Sequence, residues 1–299
     1  MPSSDGPLVS VGMPVRNGGR WIRSTIETLL AQDHRDLELI ISDNESTDAT
    51  ENVCREIAAA DPRVRYYRNA HNLGVDANYN RVVELANGSY FKWASSNDLC
   101  SPQFLSACLG ILERRPDVVL CYPRTQLIVD ENGTLEPYVN RLNLEESSPC
   151  IRFRRCLNEM RLNNVLNGVI RTGVLRRTGL LRFHRGSDVV LVAELAVRGK
   201  LVEVPEYLFF RRMTPESSTK LKSESEVSEY YAPRSGGALL LFQTWKLAGS
   251  YLRAVRDAPV GLADKLCLYR HCARRVWWMR DALARDLWRS CRAMYRTRG

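Results

Sequence analysis

The sequence predicts an α/β protein in which helices flank a mostly parallel central sheet, followed by a C-terminal helical extension. Short β-branched runs alternate with amphipathic stretches in the first part of the chain, and a polar loop follows each run. Alternating strands and helices imply right-handed crossovers and a parallel sheet that is covered on both faces.

The first half of the chain contains the clearest elements. β-branched runs predict strands at 8–15, 37–43, 63–69 and 90–95. Helical periodicity predicts the intervening helices at 19–32, 46–60 and 74–86. Beyond residue 123 the pattern predicts a hairpin with its turn at 131–133, a short strand and helix at 167–179, a helix at 186–200, a strand at 201–212, a loop or lid at 214–232, and helices from 236 onward.

Length and composition set broad limits. At 299 residues the chain can form one large domain or two modest ones. The nine cysteines are odd in number and form no CxxC pair, so we expect them to be reduced packing residues. We find no leader-like segment and no apolar run of membrane-spanning length, which predicts a cytoplasmic protein.

The loops after the strands are the candidate binding residues. In an open sheet of this kind, ligands bind beyond the carboxyl ends of the strands, near the point where the strand order reverses. The loops concerned are residues 14–17, 43–45, 72–74 and 96–98. None contains GxGxxG or GxxxxGK[ST], which disfavours a Rossmann dehydrogenase and a P-loop enzyme.

Several segments, taken in order, resemble glycosyltransferase family 2, whose members are inverting enzymes of the GT-A fold. These segments are VSVGMPVRNGGRWIRSTIETLLAQ, LELIISDNESTDAT, NLGVDANYN, FKWASSNDLCSPQFL and GSDVVLVAELAVRGKLVEVPEYLFFRR. The resemblance runs from Val9 to Arg212. It implies a GT-A catalytic domain at 1–235, with a nucleotide-sugar-binding half at 8–122 and an acceptor-side half with a lid at 123–235. A basic helical region follows at 236–299.

The segment FKWASSNDLCSP stands where the family carries its DXD motif. The resemblance implies that Asp98 holds a divalent cation, Mg²⁺ or Mn²⁺, with Ser96 and Asn97 beside the donor. One carboxylate suffices for such a hard cation because phosphate oxygens and water complete its shell. Since Ser96 replaces an acid of the motif, we expect cation and nucleotide to bind cooperatively. The alternative is that Asp98 caps a helix starting near Ser101.

Further donor contacts follow from the same resemblance. Asp43 matches the acid that accepts a hydrogen bond from a pyrimidine base; the alternative is a turn aspartate. Pro14, Arg16 and Asn17 are expected to line the base and ribose pocket, where the Arg16 guanidinium can stack on the base. Asn80 is a candidate for a sugar hydroxyl, or it terminates the preceding turn.

Inverting transfer also needs a base on the side opposite the departing diphosphate. Asp188 matches the family's catalytic acid, although an aspartate at a helix start is also stabilised by unpaired backbone N–H groups. Arg211 and Arg212 are candidates for stabilising the leaving diphosphate. The alternative is that the two arginines form a solvated strand end.

The basic charge is concentrated at the end of the chain. Of a formal net charge of +9, residues 245–299 contribute 13 Lys and Arg against 4 Asp. The amphipathic segment 272–296 can pack on the catalytic domain, form a homodimer, or lie on an anionic membrane at its cytoplasmic face. We expect no nucleic-acid partner.

The leading functional prediction is cation-assisted, inverting transfer of a sugar from a nucleoside-diphosphate sugar to a hydroxyl acceptor on a glycan, a lipid-linked group or a small molecule. Two alternatives remain open. One is a nucleotidyltransferase on a similar sheet, for which PVRNGGR is a poor signature loop. The other is a non-catalytic scaffold protein that uses the basic tail.

Overall fold

The computed structural model describes residues 8–213, 230–231 and 241–296. Its strands are β1 (Val9–Val15), β2 (Leu37–Asp43), β3 (Val64–Arg68), β4 (Tyr90–Trp93), β5 (Leu99–Cys100), β6 (Val118–Ile128), β7 (Leu135–Tyr138), β8 (Val169–Arg171) and β9 (Lys200–Arg212). Its helices are α1 (Ile22–Leu30), α2 (Thr50–Ala60), α3 (Val75–Glu84), α4 (Phe104–Arg114), α5 (Pro149–Glu159), α6 (Thr172–Leu175), α7 (Ser187–Arg198), α8 (Gln243–Arg256), α9 (Leu262–Trp278) and α10 (Arg280–Arg296).

One sheet organises the chain, with the strand order β3-β2-β1-β4-β8-β6-β9-β5, and β7 pairs with β6 as the predicted hairpin. The four N-terminal strands are parallel, whereas β8 runs antiparallel to β4 and β6. The strand order reverses at β1, because β2 and β3 follow on one side and β4 on the other. A crevice is therefore expected beyond the carboxyl ends of β1 and β4.

The two faces of the sheet are buried against different helices. Alternate residues of β1 and β2, such as Val11 and Leu39, pack with α1 and α4 in one apolar cluster. Ile40 points to the opposite face and packs with α3, α5 and α7 in the other. This division follows from the two-residue period of a strand. It confirms that the sheet is covered on both sides.

Gly12 allows α3 to approach the centre of β1. A Cβ atom at this position would lie 2.7 Å from the ring of Phe91 and 2.8 Å from the side chain of Val82. The close packing keeps the start of α3 at the edge of the crevice.

The three C-terminal helices confirm the predicted helical extension. Helix α8 buries Tyr251, Ala254 and Val255 in the same cluster as α5 and α7. The predicted lid at 214–232 lies outside the described residues apart from Tyr230 and Tyr231. Within the described ranges, no helix has the length and hydropathy needed to cross a bilayer.

Two local predictions need correction. Helix α4 begins at Phe104 after Gln103, with no side-chain cap, so neither Asp98 nor Ser101 caps it. The reason is that Leu99 and Cys100 first form a short strand against β9. Sequence reasoning also missed α5, although Ser148 caps it through a hydrogen bond from the Ile151 amide and a proline opens it.

The expectation of nine reduced cysteines is wrong for one pair. Cys150 in α5 and Cys267 in α9 form a disulfide across 117 residues of sequence, with their Cα atoms 6.2 Å apart. The spacing of the two cysteines in the sequence does not indicate a disulfide, because they come together only when α9 packs on α5. The bridge attaches α9 of the C-terminal region to α5.

We predict that reducing this bridge lowers the melting temperature by several degrees. Closing a long loop constrains the unfolded chain and contributes about 2–4 kcal/mol to the free energy of unfolding. Thermal unfolding with and without reductant, together with thiol counting, tests the effect. Replacing the exposed Cys291 with Ala is the matched control and should change nothing. Equal melting temperatures for the oxidised and reduced protein would contradict the prediction.

Candidate active site

A cavity of about 650 Å³ opens where the strand order reverses. It is lined by the ends of β1, β4 and β9, by the loops that follow β1 and β4, and by the first turns of α3 and α7. The predicted residues among them are Pro14, Arg16, Asn17, Ser96, Asn97, Asp98, Asp188, Arg211 and Arg212. Asp43 and Asn80 do not line it.

The loop after β1 is held to the loop after β2 by reciprocal hydrogen bonds. Asn17 adopts a left-handed backbone conformation with φ of 55°. Its amide donates to Ser46 Oγ at 2.9 Å, and its Oδ1 accepts from the Thr47 amide at 2.9 Å. Asparagine tolerates this conformation better than most residues. The turn carries Pro14 to Gly18 along one wall of the cavity.

Asp43 lies behind that wall and is fully buried. Its Oδ1 accepts from the Ser46 amide at 2.9 Å, and its Oδ2 accepts from Tyr66 at 2.7 Å and from Arg68 at 3.0 Å. In this conformation Asp43 anchors the loop, and a nucleotide base reaches it only if Arg68 moves aside. The predicted base contact stays a prediction.

Asp98 forms part of the cavity floor and is buried. Its Oδ1 accepts a hydrogen bond from the Arg212 amide at 2.9 Å. Burial raises the pKa of the carboxyl above its ordinary value, while Arg211 and hydrogen bonds from Arg212 and Ser95 act in the opposite direction. The floor therefore holds a carboxylate whose negative charge is only partly compensated.

The two predicted arginines lie on the cavity side of β9. Arg211 donates to Asn164 Oδ1 at 2.7 Å, and the Arg212 guanidinium lies 4.0 Å from the ring centroid of Trp21. Arg212 Nε is buried and has no hydrogen-bond partner among the described residues. A ligand oxygen would satisfy this donor, because buried polar groups are normally paired.

Asp188 lies in the first turn of α7, after Gly186 in a left-handed conformation with φ of 81°. Its Oδ2 accepts from Asn163 Nδ2 at 2.9 Å. Asn163 also lines the cavity, and its Oδ1 is buried without a partner among the described residues. One face of this pair is thus available for a ligand hydroxyl.

Asp76 is a third acid that lines the cavity, and sequence reasoning missed it. It is 4% exposed and accepts a hydrogen bond from Ser187 Oγ at 3.2 Å. Burial and the negative charge of Asp188 raise its pKa, hydrogen bonds from Ser187 and the Phe183 backbone lower it, and the resulting pKa is about 7. Asp76 lies in the segment NLGVDANYN, four residues before Asn80. Its position in a predicted site segment is the one feature of the sequence that points to it.

Asn80 makes two hydrogen bonds within the protein. Its Nδ2 donates to the Leu181 carbonyl at 2.9 Å, and its Oδ1 accepts from the Leu181 amide at 3.0 Å. Both ends of the side-chain amide are therefore paired, and the predicted contact with a sugar hydroxyl stays a prediction. Asn78 does line the cavity, but Ser42 and Asn69 already occupy its side chain.

The residues present fit a divalent cation through Asp98. In the described part of the chain, no group of three or more potential ligands lies in this cavity. The protein would supply one carboxylate, and phosphate oxygens and water would supply the remaining hard ligands. The partly compensated charge of Asp98 and the unpaired donor of Arg212 match a cation and a phosphate, respectively.

Tyr230 and Tyr231 also line the cavity. Their rings are 5.1 Å apart in an edge-to-face arrangement. These are the two described residues of the predicted lid, and no pattern in the polar sequence around them marked them as site residues.

Comparison with known sequences identifies similar proteins. Residues 10–164 match the family model described as Glycosyl transferase family 2. Chondroitin synthase of Escherichia coli is 34% identical over 155 residues, which cover 50% of this chain and 22% of that protein. The uncharacterized glycosyltransferase MJ1057 of Methanocaldococcus jannaschii is 30% identical over 133 residues, which cover 44% of this chain and 46% of that protein. The match therefore spans less than half of either relative.

Solved structures share the fold. S. aureus TarS 1–349, in complex with UDP-GlcNAc, aligns with a TM-score of 0.55 at 12% identity, over 84% of this chain and 81% of that chain. The mannosyltransferase PcManGT from Pyrobaculum calidifontis, in complex with GDP-Man and Mn²⁺, aligns with a TM-score of 0.53 at 15% identity, over 89% of this chain and 69% of that chain. The GT-A fold is thereby confirmed.

We predict that Asp76→Asn removes a pH-dependent loss of stability. Because the folded pKa of about 7 exceeds the ordinary 3.8, this group's contribution is complete below about pH 4 and is lost as the pH rises towards 7. The melting temperature of the variant should therefore rise relative to the parent between these pH values. Asp281→Asn, at an exposed position, is the control. A constant difference across the range would contradict the prediction.

Proposed function

The chain belongs to glycosyltransferase family 2, and on that premise we propose that it transfers a sugar, with inversion, from a nucleoside-diphosphate sugar to a hydroxyl acceptor. The observation that carries the proposal is the meeting of Asp98, Arg212 and Asp188 in one cavity at the strand-order switch point. Its volume of about 650 Å³ falls within the range for small-molecule sites.

The diphosphate of the donor is proposed to lie over Asp98. Arg211 and Arg212 would contact its oxygens, and Arg212 Nε is the buried donor that lacks a partner. A Mg²⁺ or Mn²⁺ ion held by Asp98 would neutralise charge on the leaving diphosphate. Ser96 and Asn97 line the cavity beside this carboxylate.

The base and ribose are proposed to lie along the loop after β1. Pro14, Arg16 and Asn17 form that wall, and the Asn17 turn is fixed by its hydrogen bonds with Ser46 and Thr47. Asp43 remains a proposed base contact that requires Arg68 to move. The two structural neighbours are complexes with UDP-GlcNAc and GDP-Man, so both nucleotides belong in a binding screen.

Asp188 is proposed to act as the general base. Asn163 holds Oδ2, which leaves Oδ1 to remove the proton of the acceptor hydroxyl. The hydroxyl oxygen forms a bond to the anomeric carbon as the bond from that carbon to the diphosphate breaks, and the electron pair leaves with the diphosphate. Asp76 is the competing base, because a pKa of about 7 suits proton transfer near neutral pH.

The reaction products separate this proposal from nucleotidyl transfer. Incubation with a panel of UDP- and GDP-sugars should release the nucleoside diphosphate. Release of pyrophosphate from a nucleoside triphosphate and a sugar phosphate would instead support a nucleotidyltransferase. Absence of both products with every donor and acceptor would favour a binding role.

We predict that Asp188→Asn lowers kcat by roughly 10²–10⁴-fold with little change in donor KM. Asparagine keeps an acceptor for Asn163 but cannot remove a proton. Asp281→Asn alters an acid in the first turn of another helix and is the matched control. If the Asp188 variant turns over normally while Asp76→Asn is inactive, the base is Asp76.

We predict that Asp98→Asn abolishes the effect of Mn²⁺ on nucleotide binding. In the parent protein Mn²⁺ should tighten binding of UDP or GDP by at least about tenfold, because carboxylate, cation and phosphate bind together. Calorimetric titration with and without Mn²⁺ measures the difference. Arg212→Lys should weaken nucleotide binding but retain the response to Mn²⁺. Equal Mn²⁺ effects in the parent and the Asp98 variant would refute the metal role.

A further inference from the structure

Helix α9 presents an apolar stripe to solvent. Its members recur every three or four residues and are all exposed: Leu262, Leu266, Tyr269, Ala273 and Trp277. This spacing places them on one face of the helix. The core-facing side of α9 fully buries only Leu268 and Cys272. The helix is thus attached along a narrow seam, and Leu262 and Trp277 remain 75% and 66% exposed.

Arginines border the stripe. The Arg274 guanidinium lies 4.6 Å from the ring centroid of Trp278, and Arg280 lies 5.1 Å from that of Trp277. Between Asp264 and Asp281 the sequence contains no acidic residue. The surface therefore combines exposed aromatic rings with an excess of positive charge, although Arg280 pairs with Asp281 at 3.9 Å.

A second cavity, of about 260 Å³, lies between α5 and α9. Its lining contains Trp278 and the basic residues Arg154, His271, Arg274 and Arg275, and among the described residues no carboxylate lines it. Arg275 Nε is buried without a hydrogen-bond partner among the described residues. Burial and the neighbouring guanidinium groups, including Arg154 and Arg274, lower the pKa of His271. These features favour an anion.

The bridge between Cys150 and Cys267 keeps the two walls of this cavity together. Cys150 lies four residues before Arg154 on α5, and Cys267 lies four residues before His271 on α9. Each cysteine is therefore one helical turn from a residue that lines the cavity.

We propose that the apolar stripe and this basic cavity bind an anionic lipid bilayer. Arg154, Arg274 and Arg275 surround a lipid phosphate, while the stripe enters the boundary between headgroups and acyl chains. Tryptophan is favoured at that depth, and basic residues near the surface each contribute about 1 kcal/mol to binding of anionic membranes.

The chemistry favours a bilayer over two other partners. Nucleic acid would match the arginines but offers no apolar phase for Leu262 and Leu266. A symmetric dimer through this face would bury the arginines of both copies, while the sequence between Asp264 and Asp281 offers no acid to pair with them. The proposal is independent of sugar transfer, because none of these residues lines the large cavity.

The test is flotation of the full chain with vesicles of phosphatidylcholine, with and without one third phosphatidylglycerol, at low and high salt. The parent protein should float with the anionic vesicles, and high salt should weaken binding. Arg154→Gln combined with Arg274→Gln should reduce binding by about tenfold or more. Leu266→Ser combined with Trp277→Ser should reduce it at both salt concentrations.

Matched controls remove the same groups elsewhere on the surface. Arg35→Gln combined with Arg114→Gln removes two exposed charges, and Val139→Ser removes an apolar side chain that is 77% exposed. Both should bind vesicles as the parent does. Circular dichroism and melting temperatures establish that every variant is folded, and unchanged donor hydrolysis shows that the large cavity is intact.

Several results would overturn the proposal. One is equal binding to neutral and anionic vesicles, and another is full binding by both the Arg154/Arg274 variant and the Leu266/Trp277 variant. A melting-temperature shift with inorganic phosphate but no flotation would make the cavity a site for free anions. If the protein does not float but forms a dimer in light scattering, and the Leu266/Trp277 variant abolishes the dimer, the partner is a second copy of the chain. If it does not float but binds an oligonucleotide, the partner is nucleic acid.

Discussion

The Arg212 amide donates a hydrogen bond to Asp98 Oδ1 at 2.9 Å, and this bond links the floor of the large cavity to the wall formed by the end of β9. It joins the end of β9 to the turn that follows β4, although the two residues are 114 positions apart in sequence. The same arginine places its guanidinium over Trp21 at the start of α1. The positions of the floor and of one wall therefore depend on this contact. The pairing of β5 with β9 supports it, since Leu99 follows Asp98 directly and faces Phe210.

Some buried polar groups around the cavity lack a full set of hydrogen bonds within the described part of the protein. Lys92, beneath the floor, is fully buried, and its Nζ donates to the carbonyls of Trp93 and Asn167. Asp98 and Asp76 are also buried, and burial raises the pKa of both. Unpaired or partly paired groups of this kind cost free energy unless a ligand completes their hydrogen bonds. The arrangement is thus suited to a highly polar ligand that carries both anionic and hydroxyl groups.

The parts of the molecule that could be predicted are those governed by short-range patterns. Residue periodicity predicts the strands at 37–43 and 201–212 and the helix at 186–200. The resemblance to the family indicates which loops form the site. What the sequence could not indicate depends on distant partners. The side-chain amide of Asn80 pairs with Leu181, the Asp43 carboxylate accepts hydrogen bonds from Tyr66 and Arg68, and Cys150 meets Cys267 only after α9 packs on α5.

Asp76 is a residue whose electrostatic environment could not be predicted from the sequence. Its sequence neighbours indicate a polar helix start, whereas its raised pKa results from burial and from Asp188, more than a hundred residues away. Electrostatic environments of this kind are properties of tertiary packing. A single sequence identifies the acids of a site more readily than it distinguishes their roles.

Helix α5 links the two surfaces to which we assign functions. On one side its Arg152 donates to the Ala196 carbonyl at 2.7 Å, which attaches it to α7, the helix that begins with Ser187 and Asp188. On the other side Cys150 is bonded to α9, and Arg154 lines the basic cavity. Because buried side chains of α5, α7 and α9 belong to one apolar cluster, the three helices should move as a unit. A bilayer bound at α9 would then hold the first turn of α7, and with it Asp188, in a fixed orientation to the membrane.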